Sequence, residues 1–411
     1  MDDRTPGFEA QASSADNRTT RSGGEAAPAE DPPRSPGDVV VIALFVVLLL
    51  APAFLALMGH AGFDTDFIEH SELRHPFVAP PPSAGALATG GWERDAEREV
   101  ADAFPLRRQL IEGYDHAKYA WLHDVASTHV IKGRDGWLFL GDEERWYLTG
   151  EQHRPTDADL ARLADIYAAR SRWCAQHGIK FAFLLVPNKS TVYENELPAG
   201  MHVAHPTPAE RFLPLLSARG VRFIDVRAQL RVLARREDGL ELYSRGDTHW
   251  NDEGAYVTYE LTTRTLRDAG VRDGIPHDAI RRRIEIADGD LLKLAGIASL
   301  VQNRIVRLDY SHKAHRVAAP SYPKDPQASA FAAAAYEQDD PSRPNAVVFG
   351  DSFTDAIAPF LAESFRRTVV LRHVNVTDVQ FDPRIVEAEK PRVVIQELAE
   401  RSLVFAPDIK P

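Results

Sequence analysis

The 411-residue chain is 44% hydrophobic and 26% charged, a balance that supports a sizeable buried core in one large domain or two smaller ones. Its formal net charge of -12, with no Lys/Arg-rich run, excludes a general nucleic-acid binder, which needs a cationic footprint to displace counterions from phosphates. Cys174 is the one cysteine, so intrachain disulfides and multi-cysteine zinc sites are excluded by counting.

Residues 1–37 are rich in Asp, Ala, Ser, Gly, Pro and Arg without apolar periodicity, and are expected to form a disordered cytoplasmic tail. Residues 38–59 follow as a transmembrane anchor: from Val39 to Gly59, about 21 residues carry no charge, enough at helical rise to span a hydrocarbon core. A signal peptide is the rival reading, but its apolar stretch is normally about 7–15 residues after a short basic start, whereas a long, mostly acidic leader precedes this one. Pro52 is tolerable inside such a helix. Arg18, Arg21 and Arg34 lie upstream, while downstream Asp64, Asp66, Glu69 and Glu72 stand against Arg74. This bias puts the N-terminus in the cytoplasm and the C-terminal body on the periplasmic side of an inner membrane, where disulfides are permitted rather than required. Residues 60–91, with prolines at Pro76 and Pro80 to Pro82, read as a stiff extended linker, and the soluble body, 92–411, begins near Trp92.

From Glu93 to Ala126 the pattern predicts helix, and Gly133-Arg134-Asp135-Gly136 predicts a turn feeding a short strand through Leu140. Thr156 with Asp159 has the form of a capping box for a helix reaching Gln176, with Gly178 placed to end it; Cys174, inside that helix, reads as core. Phe181 to Val186 is a continuous apolar run that suits a buried parallel strand. The alternation then repeats: helix over Ala209–Ala218, strand Val221–Val226, helix over Arg227–Arg236, a loop, and helix over Gly254–Ala269. Residues 275–345 are expected to be an insertion. Strand Ala346–Phe349, helix Asp355–Phe365 and strands Val369–Leu371 and Val393–Gln396 complete an α/β fold with a parallel sheet flanked by helices.

Two strings carry the chemistry: Gly246-Asp247-Thr248-His249-Trp250-Asn251 and Phe349-Gly350-Asp351-Ser352-Phe353-Thr354. Ser352 follows a buried strand and precedes a helix, which puts its hydroxyl at the C-terminal edge of the sheet and aims the N–H groups of the helix start at one point. His249 can take the serine proton, and Asp247 can hold the imidazole in the required tautomer. The bland alternatives are a helix cap for Asp351 or Ser352 and a loop histidine bonded to local backbone for His249. Trp250 reads as a core or loop anchor. Asn188, Lys189 and Tyr193 leave the end of another central strand and can line the same cleft, or else form a strand-terminating turn.

These motifs resemble the AlgX/AlgJ family of alginate O-acetyltransferases, whose catalytic domain is SGNH-hydrolase-like. The resemblance rests on Gly133 to Leu140, on Val186-Pro187-Asn188-Lys189-Ser190 with Tyr193 and Leu197-Pro198, on Asp247-Thr248-His249-Trp250, on Gly350-Asp351-Ser352-Phe353 and on Gln396 to Arg401. It implies Asp247, His249 and Ser352 as catalytic residues, with Asn188, Lys189, Tyr193, Phe353 and Arg401 as candidates for contacting substrate or its oxyanion. It further implies that the serine accepts acetyl and passes it to a sugar hydroxyl of an exopolysaccharide, that a membrane-bound O-acyltransferase supplies the acetyl, and that no cofactor or metal is needed. A single N-terminal anchor is more like AlgJ than AlgX, and too few residues follow Ser352 for the carbohydrate-binding domain that ends AlgX.

Other readings remain open at this point. A periplasmic carbohydrate acetylesterase would share the triad and differ only in passing acetyl to water. A metal-dependent hydrolase would enlist Asp247, His249 and Asp351 as ligands, without the His-rich or clustered carboxylate motif such sites carry. A non-catalytic scaffold of an export complex would not need the Asp, His and Ser together. The acidic chain offers no electrostatic reason to prefer a polyanion such as alginate.

Overall fold

A computed structural model describes residues 35–411 apart from 73, 151–153, 237, 323–330, 374 and 379. The expected tail lies almost wholly outside the described residues, as do the upstream arginines used for topology. The chain divides into two units, residues 1–60 and 61–411.

In the first unit, Pro36–Leu55 is α-helical, capped by a reciprocal pair in which the Ser35 side chain accepts from the Asp38 N–H and Asp38 accepts from the Ser35 N–H. The apolar run continues to Gly59, giving 24 residues long and apolar enough to cross a membrane, none of them buried.

In the second unit the stretch expected as an extended spacer holds short helices, Thr65–Ser71 and Ala84–Ala88. Arg74 ties it back to the body by donating to Asp102 Oδ2 at 2.6 Å. The helix expected over 93–126 is in fact two, Gly91–Asp102 and Arg107–Leu122. Pro105 explains the break: it disfavours helical backbone at Phe104, and Leu106 then turns into the left-handed region at φ 63°.

The strands are β1 (Val130–Lys132), β2 (Leu138–Leu140), β3 (Lys180–Val186), β4 (Phe223–Asp225), β5 (Arg281–Ala287), β6 (Asn303–Asp309), β7 (His315–Val317), β8 (Phe331–Glu337), β9 (Asn345–Gly350), β10 (Arg367–His373) and β11 (Val393–Ala399). The main sheet has seven strands in the order β4-β3-β11-β9-β10-β8-β7. From β4 to β10 all pairings are parallel, whereas β8 runs antiparallel to β10 and β7 antiparallel to β8. Part of the stretch expected as an insertion therefore extends the sheet, while β5 and β6 form a separate antiparallel hairpin.

Alternation along the central strands divides the core into two layers. Ala182, Leu184 and Val186 of β3 with Val348 of β9 face helices Asp252–Thr265 and Thr354–Ala362. Phe181, Phe183 and Leu185 with Val347 and Phe349 face helices Asp157–Gln176 and Pro208–Ala218. The result is a helix–sheet–helix sandwich with parallel central strands, so β3, β9 and β11 all end at one edge of the sheet. Asn188, Ser352 and Arg401 each lie two residues beyond one of those ends. Open α/β sheets bind ligands at that edge.

Candidate active site

Ser352 sits in the turn between β9 and the helix Thr354–Ala362. Gly350 ends the strand against the Glu397 side chain of β11: a Cβ there would run into the Glu397 carboxylate and would meet Thr354 Cγ2 at 2.5 Å. Asp351 then fastens the turn. Its Oδ1 accepts the Phe353 N–H at 2.9 Å, its Oδ2 accepts the Ala399 N–H of β11 at 2.9 Å, and its own N–H donates to Glu397 Oε2 at 2.8 Å. Burial, reinforced by the Asp351 charge, holds the Glu397 carboxyl well above the usual carboxylate range.

The histidine arrives on the loop that precedes helix Asp252–Thr265. Asn251 caps that helix, its Oδ1 accepting the Glu253 N–H at 2.9 Å, and Tyr243 and Trp250 bridge the loop's two ends. His249 Nε2 lies 2.8 Å from Ser352 Oγ, and His249 Nδ1 lies 2.9 Å from Asp247 Oδ1. Burial pushes the Asp247 carboxyl up, but the hydrogen bond and positive charge offered by His249, with the N–H groups of His249 and Asp290, outweigh it and hold the group below the usual range. Trp250 is a buried anchor whose indole N–H donates to the Phe353 carbonyl at 3.2 Å.

The remaining sequence-derived candidates surround this line. Phe353 is fully buried, its ring 4.9 Å from the His249 ring and 5.2 Å from Arg401 Cζ. The Asn188 Oδ1 accepts the Arg401 N–H at 2.9 Å. Among the described residues, Asn188 Nδ2 and Arg401 Nη1 are buried without a hydrogen-bond partner, so two donors at the strand ends have nothing to bind. Lys189 and Tyr193 hold the loop through their polar atoms, and Tyr193 also lines a cavity beside that loop. The Lys189 ammonium donates to the carbonyl oxygens of Asp247 at 2.7 Å, Ser244 at 3.1 Å and Arg245 at 3.2 Å. The Tyr193 hydroxyl accepts the Leu242 N–H at 2.8 Å and its ring packs on Trp137 at 4.2 Å.

Asp290 escapes sequence reasoning, because no motif surrounds it. Its Oδ1 accepts the Thr248 N–H at 2.7 Å, and its N–H donates to Asp247 Oδ2 at 3.2 Å. Donor atoms of Asp247, His249 and Asp290 lie within 4.8 Å of one another, a grouping that does not include Asp351. A cavity of about 600 Å³ opens beside the loop, lined by Trp137, Arg236, Glu241, Arg245, Gly246 and Arg304 among others, but not by His249 or Ser352.

Residues 130–400 match the family model described as the SGNH hydrolase-like domain of the acetyltransferase AlgX. A probable alginate O-acetylase AlgJ of Pseudomonas syringae pv. tomato is 24% identical over 281 residues, 67% of this chain and 64% of that protein, so the match spans less than two thirds of the relative's length. The corresponding AlgJ of Pseudomonas aeruginosa is 24% identical over 295 residues, 70% of this chain and 68% of that one. Among solved structures, PatB1 of Bacillus cereus, solved with a sulfonyl adduct, shares the fold with a TM-score of 0.50 at 17% identity, covering 67% of this chain and 97% of that one. A family match over well more than half of the chain, on the fold just described, makes it a member of the AlgX family of SGNH hydrolase-like acetyltransferase domains.

Proposed function

We propose that this chain is a membrane-anchored periplasmic O-acetyltransferase that moves acetyl through Ser352 onto the hydroxyls of an exopolysaccharide of the alginate kind. The observation that carries the reading is the continuous line from Asp247 through His249 to Ser352, with contacts of 2.9 and 2.8 Å. Its parts are a tail over 1–37, an anchor over 38–59, a linker over 60–91 and a catalytic body over 92–411, with a membrane-bound O-acyltransferase supplying the acetyl. The names of its AlgJ relatives support the substrate class.

In the first half-reaction His249 Nε2 takes the proton of Ser352 as Oγ bonds to the acetyl carbonyl carbon. Asp247 holds the other ring nitrogen and stabilises the imidazolium. The carbonyl oxygen, negative in the tetrahedral intermediate, is met by the unpartnered donors of Asn188 and Arg401. Collapse breaks the bond to the donor's leaving group, which departs with the proton from His249. A sugar hydroxyl then gives its proton to His249 and bonds to the acetyl carbon, and collapse breaks the ester bond to Ser352 Oγ, which takes that proton back from His249 Nε2.

Incubation with an acetyl-ester donor and a panel of oligosaccharides, read by mass spectrometry, tests the reading. Acetylated sugar is the expected product, reduced by several orders of magnitude in His249→Ala. Acetate alone across the panel would make the protein an esterase with the same triad, and full activity of His249→Ala would remove the serine mechanism.

A further inference from the structure

We propose that Asp290 is a positioning residue for His249, a second carboxylate that acts with Asp247 to aim the imidazole at Ser352 and to stabilise the positive charge it takes on. The inference rests on the reading of Ser352 as nucleophile and His249 as its base.

The geometry is specific. Asp290 Oδ2 stands 3.6 Å from His249 Nδ1, the same nitrogen that Asp247 Oδ1 holds at 2.9 Å. At 3.6 Å Asp290 Oδ2 lies beyond hydrogen-bond distance, so Asp247 takes the hydrogen bond and Asp290 acts through its charge. The two acids also brace each other's backbone: Asp290 Oδ1 accepts the N–H of Thr248 at 2.7 Å, and the N–H of Asp290 donates to Asp247 Oδ2 at 3.2 Å. Between them, Asp247 and Asp290 restrain the His249 loop from both sides.

The segment bearing Asp290 has no slack. A Cβ on Gly289 would collide with the Gly246 carbonyl oxygen, and one on Gly246 would meet Leu292 Cγ at 2.7 Å. Asn303 of β6 completes the brace, its Oδ1 accepting the Gly246 N–H at 3.1 Å while its Nδ2 donates to the Asp288 carbonyl at 3.0 Å. The connection between β5 and β6 thus delivers a second acid to the histidine.

The groups that face His249 are Asp247, Asp290, Ser352 and the Phe353 ring, with Arg401 across that ring and Lys189 behind the Asp247 carbonyl. Two carboxylates therefore oppose cations that lie farther off. Removing one negative charge makes the imidazolium less favourable, so the acid limb of the pH–rate profile moves to lower pH and the transition state loses stabilisation. Asp290 is partly exposed, with 38% of its side chain accessible, and solvent screening keeps the effect moderate.

The test is acetyl-ester turnover and its pH profile in Asp290→Asn, Asp290→Glu and Asp247→Asn, alone and combined. Asp290→Asn keeps an oxygen for the Thr248 N–H and replaces the carboxylate oxygen that faces His249 Nδ1 by an amide NH2, removing the negative charge there. It should lower kcat by about tenfold with KM little changed and shift the acid limb to lower pH, and Asp290→Glu should restore much of both. Asp247→Asn should keep a residual rate that Asp247→Asn with Asp290→Asn loses by a further factor of about ten. An unchanged rate and acid limb in Asp290→Asn, with Ser352→Ala inactive, would overturn this proposal and leave the serine reading standing. A lowered rate with an unmoved acid limb would reduce Asp290 to a loop brace and also overturn it. Full activity of Ser352→Ala would overturn the serine reading and this inference with it.

Discussion

Lys189 shows how one buried charge can govern the acid–histidine loop from behind. It is 1% exposed, and burial pushes its ammonium down to about 8 despite the nearby charges of Glu144, Asp290, Asp247 and Glu241. As the pH rises past that value the neutral amine has two N–H groups left for the carbonyls of Ser244, Arg245 and Asp247, and the loop slackens. Activity should therefore fall above about pH 8, and the residual activity of Lys189→Met should lack that alkaline limb. Stability should move the opposite way. An unfolded lysine keeps its proton to about pH 10.4, so between the two values the unfolded chain binds more protons, and raising the pH favours the fold through this group. Denaturant melts should accordingly show wild type gaining stability relative to Lys189→Met from about pH 8 to 10. An alkaline limb that survives in the variant would contradict the assignment.

The elements that build the site meet at close approaches, and Gly350 against Glu397 is the one that sets the turn bearing Ser352. In Gly350→Ala the new methyl must displace Glu397, whose carboxyl anchors the Asp351 N–H, so the turn bearing Ser352 shifts. The variant should lose about 1–3 kcal/mol of stability and a larger share of its activity; thermal melts beside acetyl-ester turnover measure both, and wild-type values for both would refute the account. The strands that carry this turn are readable in the sequence because β3, β9 and the first half of β11 are buried on both faces and show as apolar runs, whereas Gln396 and Glu397 hide the second half of β11. The helix Asp157–Gln176 is readable from its capping pair. Strand β8 is not: Phe331-Ala332-Ala333-Ala334-Ala335 has the composition of a helix, and only pairing with β10 makes it extended. Within the site, the two-residue spacing of Asp247 and His249 is visible as a motif. Asp290 is not visible, because its approach to His249 is made by packing of a distant segment and leaves no local pattern. Lys189 and Tyr193 look like cleft candidates in the sequence because they follow a strand end; the loop they support claims their polar atoms, while the Tyr193 side chain still lines the neighbouring cavity.

At the scale of the whole chain, residues 36–59 are long and apolar enough to cross a membrane, and the proposed function needs them to hold the enzyme there with its acetyl group presented on the far side. The proposed topology predicts that protease added to spheroplasts degrades the body while residues before the anchor stay protected; a fully protected body would reverse the orientation. The central claim is that acetyl rests on Ser352 between donor and sugar. The most direct measurement is mass spectrometry of the full-length protein, digested after brief exposure to an acetyl-ester donor. The account predicts about 42 Da added to the peptide containing Ser352, absent in Ser352→Ala and discharged faster by an acceptor oligosaccharide than by buffer. Acetyl transfer by Ser352→Ala at the wild-type rate, with no adduct on either protein, would contradict it.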